Sequence, residues 1–590
     1  MKKIRFMDTS FRDGFQSVFG ARVRTKDFLP AVEASVEAGI DHFEFGGGAR
    51  FQSLFFYCQE SAFDMMDQIR LTTGPDVNLQ TLARGINVVG LSQQPRDIIN
   101  MHARLFHKYG TTTIRNFDAL NDMRNLDYSG RCIADAGLKH QITITLMGLP
   151  PGIEALDVHS AAFYMEKLDD IEKLGIPYDS IVFKDASGTC PPQTVFETIE
   201  AARDRVGKDT TLWYHTHDTA GMGTICIMAA IRAGVDGIDL AQAPVSSGTG
   251  QPDILTVWHS LRHTGFTLDI DYKKIVRAER VFDECMSKYM IPPEAKRTTP
   301  TIVLSPMPGG ALTANTMMMR DTNTLHLFPR VIEEMAEVVA KGGYGTSVTP
   351  VSQFYFQQAF MNVVQGKWKK IAAGYGNMAL GYFGRTPRKP DPEVVALAGK
   401  QLNKPVFTGN PLDILEPGIP PAQKMLEEND LPVTDENTFI VATCKNKGLD
   451  FLQGNAPLAI YLREEIEKRA APAEVGESET IVLTISGRGI AIERSKADEA
   501  KPVEKEKKAP APPRRESHGY GKDVVSNTPG RVKRVLLQQG AQVQPDDIVM
   551  VIEFMGMENE ISSYYNGNIS RLCVEKGDFV KEGSVLFAVK

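Results

Sequence analysis

An eight-stranded parallel (βα)8 barrel, followed by a helical second domain and a small all-β flattened barrel, is the fold class this chain predicts. Three observations lead there. Over roughly the first 260 residues a short apolar run, a polar or Gly-bearing loop and a helical stretch recur about every 30 residues. The segment that follows turns to long helical stretches, and the last 70 residues contain one motif twice.

The recurring runs are Ile4–Met7, His42–Phe45, Asn78–Leu82, Thr113–Phe117, Gln141–Leu146, Ser180–Phe183, Thr211–Tyr214 and Gly237–Leu240. Eight βα units close most naturally into a TIM barrel. An open doubly wound sheet is the alternative, but it calls for a Gly-rich phosphate loop after an early strand, and no GxGxxG occurs. Gly46-Gly47-Gly48 reads as a tight turn after the second strand. From about Lys273 to Arg469 helical stretches such as Val331–Ala340 and Pro392–Gln401 alternate with Gly/Pro loops. Thr480–Ile485 and Ile490–Glu493, joined by Ser-Gly-Arg-Gly, read as a β-hairpin. Asp498 to about Gly521, rich in Lys, Glu, Pro and Ala, cannot bury a core and is expected to be a flexible linker.

In the last 70 residues Gly530-Arg-Val-Lys-Arg-Val-Leu-Leu-Gln-Gln-Gly540-Ala-Gln-Val returns 37 positions later as Gly567-Asn-Ile-Ser-Arg-Leu-Cys-Val-Glu-Lys-Gly577-Asp-Phe-Val. Further apolar runs follow at Ile548–Ile552 and Val585–Val589. Two copies of one strand–turn–strand unit imply a flattened barrel with quasi-two-fold symmetry. The connection Glu553–Glu558 then forms an exposed hairpin. The expected domains are 1–270, 271–470, a hairpin extension 471–497, the linker 498–520 and the terminal β domain 521–590.

At 590 residues several cores are needed. A formal charge of −7 leaves no basic footprint for nucleic acid. The N-terminus lacks an apolar leader, and no run of about 18 apolar residues occurs, so a cytoplasmic chain is expected. Seven scattered cysteines without CxxC spacing read as buried or incidental thiols.

Chemistry-bearing residues collect at the ends of the runs, where a parallel barrel assembles its sites. After the first comes Asp8-Thr-Ser-Phe-Arg-Asp13-Gly-Phe-Gln16, in which Asp13 either caps the next helix or faces the mouth. The seventh ends in His215-Thr-His217, two imidazoles at i and i+2 on one side of an extended segment. Together with Asp13 they begin an N/O metal site. The sixth ends in Lys184, where burial lowers the amine pKa and opens the way to a carbamate; a plain salt bridge is the alternative. Arg84, ending the third run, suits a carboxylate, and Thr249, in the loop after the eighth, could relay a proton; either could be structural.

The segments DTSFRDGFQS, LARGINVVG, FDALNDMRN, FKDASG, HTHDTAGM and SSGTGQP resemble, in order and spacing, the biotin-dependent carboxyltransferase family of pyruvate carboxylase, oxaloacetate decarboxylase α subunit and transcarboxylase. SPMPGG, TPVSQ and LGYFGRTP continue the likeness through the second domain, and IEFMGMENEI closes it with a biotinyl-domain box. The resemblance makes Asp13, carbamylated Lys184, His215 and His217 ligands of a divalent metal (Zn, Co or Mn). Gln16 and Arg84 hold a small 2-oxo acid such as pyruvate or oxaloacetate. Thr249 shuttles the proton between biotin and the enolate carbon, and the metal polarises the carbonyl as a Lewis acid. It also implies a biotin carboxylase or membrane decarboxylase subunit as partner, with peripheral membrane placement through the latter, and a homodimer or larger oligomer.

Three positions depart from the family pattern. In WGGATFD the final Asp lines the substrate pocket; Gln52 stands there in Gly46-Gly-Gly-Ala-Arg-Phe-Gln52. The tyrosine seven residues after the third-strand arginine is Leu91, and the biotin lysine of AMKM is Gly556. Glycine has no side chain to form the biotin amide. Three readings of Gly556 stay open: biotin rides on another subunit's carrier, Gly556 stands in place of a native lysine, or the carrier fold serves as a docking module. Two other functional readings are a metal-dependent lyase or Claisen-condensing barrel acting on acyl-CoA, and a non-catalytic assembly subunit. Lys184 and the C-terminal repeat argue against the lyase.

Overall fold

The computed structural model describes residues 1–464 except 154 and 156, the strands Ile481–Ser486 and Gly489–Arg494, and residues 522–590 except 527, 528, 555, 556 and 582. The stretch expected to be a linker, 498–520, lies outside the described residues, as does Gly556. The chain divides into two compact units, Met1–Leu462 and Arg463–Lys590.

Eight parallel strands close the barrel of the first unit: β1 Lys2–Asp8, β2 His42–Gly47, β3 Asn78–Ala83, β4 Thr113–Asn116, β5 Lys139–Thr145, β6 Ser180–Asp185, β7 Thr211–Thr216 and β8 Gly237–Leu240. Sequential neighbours pair throughout, and β8 returns to β1 through Asp8↔Leu240. Helices such as Arg96–Lys108 and Pro192–Val206 follow the strands, as the alternating pattern requires. The Gly46–Gly48 run is not a separate turn: Gly46 and Gly47 end β2 and Gly48 opens the next helix, Gly47 having φ +83° where a Cβ would stand 2.2 Å from the Leu82 carbonyl.

Outward positions Ile114, Ile142, Ile144, Ile181, Phe183, Tyr214 and Ile238 join the apolar core beneath the helices. Inward positions alternate with them and are mostly polar. His42, Glu44, Gln80, Arg115, Gln141, Lys184, His215 and Asp239 are all buried, and Met7, Val182 and Trp213 form a small separate apolar cluster. Barrel interiors are usually filled by branched aliphatic layers. Buried polar groups are tolerable only when paired, and here most pair with one another, while Glu44 pairs with Arg12.

Long helices beyond the barrel belong to the same unit, among them Gly309–Asp321, Phe328–Lys341, Val351–Gln365 and Pro392–Leu402. Two of the motifs meet where this region joins the barrel. From FDALNDMRN, Asn125 donates to the Phe383 carbonyl at 2.9 Å, and Asp122 accepts the Arg385 backbone N–H at 2.8 Å from LGYFGRTP. SPMPGG comes down on the barrel mouth so tightly that a Cβ on Gly309 would lie 1.8 Å from the Thr249 carbonyl. Only glycine fits that approach. No helix among the described residues is long and apolar enough to cross a membrane.

In the second unit, Ile481–Ser486 and Gly489–Arg494 pair antiparallel as a hairpin. The terminal domain is two four-stranded sheets. The repeat explains their construction: short strand Gln542–Val543 of the first copy pairs with Gly567–Leu572 of the second, and Phe579–Val580 of the second pairs with Gly530–Val535 of the first. Ile548–Phe554 and Met557–Ser562 form the hairpin expected around the box, with Phe554 opposite Met557. Val532, Ile552, Ile569 and Phe587 fill the space between the sheets.

Candidate active site at the barrel mouth

The first strand delivers Asp13 through a turn that Asp8 organises: Asp8 accepts the Ser10 N–H at 2.9 Å, the Ser10 hydroxyl, and the Gln242 amide at 2.6 Å. The sixth strand delivers Lys184 just ahead of Asp185. That carboxylate gathers the backbone N–H groups of Ser187, Gly188 and Cys190 at 2.8–3.1 Å and so fixes the FKDASG loop. The seventh strand delivers His215 and, just past its end, His217.

These four residues converge. Asp13, His215 and His217 each turn one ligand atom into a space where all lie within 4.8 Å of one another. Asp13 Oδ2 is 3.5 Å from His215 Nε2 and 3.4 Å from His217 Nε2. Lys184 Nζ is 2.6 Å from His215 Nε2 and 3.9 Å from Asp13 Oδ2.

Both imidazoles turn Nε2 toward the shared space and Nδ1 away from it. His217 Nδ1 lies 2.7 Å from the Thr249 carbonyl, an acceptor only, so Nδ1 carries the proton and Nε2 the lone pair. His215 Nδ1 lies 2.7 Å from Asp239 Oδ2, with the same consequence. Burial opposes ionisation of Asp13, yet Arg12, His217 and Lys184 outweigh it and hold the carboxyl well below its usual range. Burial lowers the Lys184 amine to about 8. A carboxylate, two imidazoles and an amine of lowered basicity form a donor set suited to a divalent ion.

Beside this cluster a small cleft is lined by Asp13, Gln16, Arg84, Lys184 and His217 from the barrel, and by Pro308, Gly310, Val348 and Thr349 from the second region. Arg84 Nη1 donates to the carbonyls of Val89 and Gly90, both at 2.9 Å. Its Nε is buried with no hydrogen-bond partner. The guanidinium is thus fixed on one edge and unsatisfied on another. Gln16 accepts from Arg12 at 3.4 Å.

Three sequence-predicted residues stand elsewhere. Gln52 is on the short helix Gly48–Ser53 and donates to the Thr443 carbonyl at 3.4 Å, outside the cleft lining. Leu91 is 50% exposed on a surface turn, where an apolar side chain has no polar contact to make. Thr249 is buried behind the histidines: its hydroxyl donates to the Ser17 carbonyl at 2.8 Å, and its own carbonyl orients His217.

Other site residues escaped the sequence reading. Arg12 lines the cleft and bridges Asp13 at 3.1 Å and Glu44 at 2.5 Å. Gln251 donates to both Asp13 Oδ2 and His217 Nε2 at 3.1 Å. Asp239 and Arg115 lie beneath His215. The polar alternation in β2, β4 and β8 was the available signal, since strands buried on both faces normally read as continuous apolar runs.

Comparison with known proteins gives a consistent result. Residues 149–282 match the HMGL-like family, 302–494 the conserved carboxylase domain, and 521–589 the biotin-requiring enzyme domain. The chain is 28% identical over 571 residues to a pyruvate carboxylase subunit of Methanothermobacter thermautotrophicus, covering 95% of each. It is 29% identical to the methylmalonyl-CoA carboxyltransferase 5S subunit of Propionibacterium freudenreichii subsp. shermanii, covering 70% of this chain and 80% of that one. Against the 2-oxoglutarate carboxylase large subunit of Hydrogenobacter thermophilus it is 26% identical, covering 95% and 91%. The solved carboxyl transferase domain of Rhizobium etli pyruvate carboxylase with pyruvate and biocytin superposes with a TM-score of 0.70 at 25% identity, covering 78% of this chain and 79% of that one.

Proposed function

The chain belongs to the biotin-dependent carboxyltransferases of the pyruvate carboxylase and transcarboxylase type, which move a carboxyl group between biotin and a 2-oxo acid, and from this premise we propose how its own residues do so. Asp13, Lys184, His215 and His217 hold a divalent metal, zinc, cobalt or manganese, with Lys184 as its carbamate. When bound, that ion supplies Lewis-acid polarisation of the 2-oxo carbonyl.

The observation that carries this reading is the place of Lys184. Its amine sits 2.6 Å from the His215 lone pair, inside the donor cluster, where an ammonium would repel any cation. Carbamylation removes the conflict: the neutral amine adds CO₂, releases one proton and becomes an anionic oxygen donor. The lowered amine pKa favours that step.

Arg84 binds the carboxylate of the 2-oxo acid through its unsatisfied edge, with Gln16 beside it. Thr249 moves the proton between biotin and the acceptor carbon; to do so its hydroxyl leaves the Ser17 carbonyl. Pyruvate, oxaloacetate and 2-oxoglutarate are the acids to compare, since relatives of similar identity bear names pointing to different acceptors. Arg84→Lys keeps the charge and loses the fork. A charge-assisted hydrogen bond is worth about 1.5–3 kcal/mol, so kcat/KM for the 2-oxo acid is expected to fall about 10–100-fold, mainly through KM. Steady-state kinetics across the three acids checks this; an unchanged KM would remove Arg84 from the substrate site.

Covalent biotin does not fit this chain's own box, because Gly556 offers no amine. We assign the biotin to the carrier of another subunit in a biotin-dependent carboxylase complex, with a biotin carboxylase subunit as partner. A lyase acting on acyl-CoA is the weaker reading: the HMGL-like match ends at residue 282, whereas the carboxylase and biotin-domain matches cover 302–494 and 521–589.

A further inference from the structure

Beneath the donor cluster the barrel interior holds a continuous polar column. Asp239, inward on β8, faces His215 Nδ1 at 2.7 Å. Arg115, inward on β4, grips the same carboxylate with two nitrogens: Nη1 on Oδ2, and Nη2 on Oδ1 at 3.1 Å. Arg115 Nε donates to Gln141 at 2.6 Å, and Gln80 donates to the same Gln141 oxygen at 3.1 Å. His42 contacts Gln80 at 3.1 Å. Asp239, Arg115 and His215 are each completely shielded from solvent.

Arg115 Nη1 also lies 3.4 Å from His215 Nδ1, but a guanidinium only donates, so the imidazole proton must go to the carboxylate. On the other side of the ring the Lys184 amine, 2.6 Å away, faces the Nε2 lone pair. The ring is therefore held in one tautomer from both sides. His217 reaches the same tautomer by a backbone carbonyl that no side-chain substitution can remove.

We propose that Asp239, clamped by Arg115, is the positioning residue that keeps the His215 proton on Nδ1 and its Nε2 lone pair aimed at the metal. Removing such a partner typically costs 10–100-fold in metal affinity. The inference rests on the metal reading given above.

Asp239→Asn is the informative variant. A carboxylate offers an oxygen to each Arg115 donor, whereas an amide offers one oxygen and one N–H₂ group. Either orientation of the amide sets N–H against a guanidinium donor. In one of them it also donates to Nδ1 and forces the proton onto Nε2, as a misplaced amide does beneath a catalytic histidine.

The test uses the full chain stripped with chelator and titrated with Zn²⁺ and Co²⁺, reading bound metal by mass spectrometry and the Co²⁺ absorption spectrum, with thermal melting as the fold control. The expected result is a 10–100-fold rise in Kd for Asp239→Asn and partial rescue by Asp239→Glu. Wild-type affinity in a folded Asp239→Asn overturns the inference while leaving the metal reading intact. A wild-type chain that binds no metal overturns both. Should Asp239→Asn fail to fold, ¹⁵N-histidine spectra of the metal-free wild type decide. They are expected to show Nδ1–H at His215, assigned by loss of the signal in His215→Gln, and Nε2–H there overturns the inference.

Discussion

Lys184→Ala is expected to lower carboxyl transfer by about 10³-fold or more, because Lewis-acid stabilisation of this kind contributes several kcal/mol and each 1.36 kcal/mol is tenfold. Lys184→Arg should be nearly as damaging. It keeps a positive charge among Asp13, His215 and His217, yet cannot take up CO₂. Both variants should purify with less metal than the wild type. A small carboxylate added to Lys184→Ala should restore part of the loss, since it can occupy the vacated space and present the missing oxygen. Turnover and metal content of the three proteins, with and without the added acid, check the claim. An Arg variant within a few-fold of wild type would mean that Lys184 serves only as an ion-pair partner.

The same residue gives the site a pH dependence with a defined sign. Burial holds the Lys184 amine at about 8, so the neutral, nucleophilic form grows as pH rises through that value. Metal loading of the stripped chain in bicarbonate should therefore improve between about pH 6.5 and 8.5, and carbon dioxide withheld at the higher pH should abolish the gain.

Gly556→Lys is expected to have an all-or-none effect on biotin. The wild-type chain should be negative on a streptavidin blot, with an intact mass free of a biotinyl group. With a lysine at that position, the neighbouring Met555, Met557 and Glu558 complete a biotin ligase substrate, so coexpression with a ligase should add one biotinyl group per chain. Tethering replaces a bimolecular encounter with an effective concentration in the millimolar range. Oxaloacetate decarboxylation should then proceed without added biotin, whereas the wild type should require added biocytin. A streptavidin-positive wild type would instead place a biotin lysine elsewhere in the chain.

Much of this was legible in the sequence. The 30-residue spacing exposed the barrel because each βα unit repeats one physical task, and the 37-residue repeat exposed the two interlocked sheets for the same reason. Asp13, Lys184, His215 and His217 could be read because strand ends in a parallel barrel face one mouth. What stayed hidden depended on which side chains meet across that barrel. Arg115 and Asp239 lie on β4 and β8, 124 positions apart, and no local pattern announces their pairing. The alternation His42-Phe-Glu44 and Ile238-Asp-Leu240 did mark the interior as polar. The placement of SPMPGG over the mouth was equally out of reach, because helical spacing shows which face is apolar and not what it covers. Gln52 and Leu91 were placed by resemblance to motif positions; in the fold Gln52 reaches the Thr443 carbonyl and Leu91 is half exposed.

A metal held at the barrel mouth is the centre of the proposed carboxyl transfer between biotin and a 2-oxo acid. Its role is tested most directly by assaying the purified chain for oxaloacetate decarboxylation with biocytin as acceptor, before chelation, after chelation and after metal is restored. The expected result is about one metal ion per chain, biocytin-dependent release of pyruvate, loss of that release with the metal and its return on readdition. Turnover that persists at full rate in the stripped protein would contradict it.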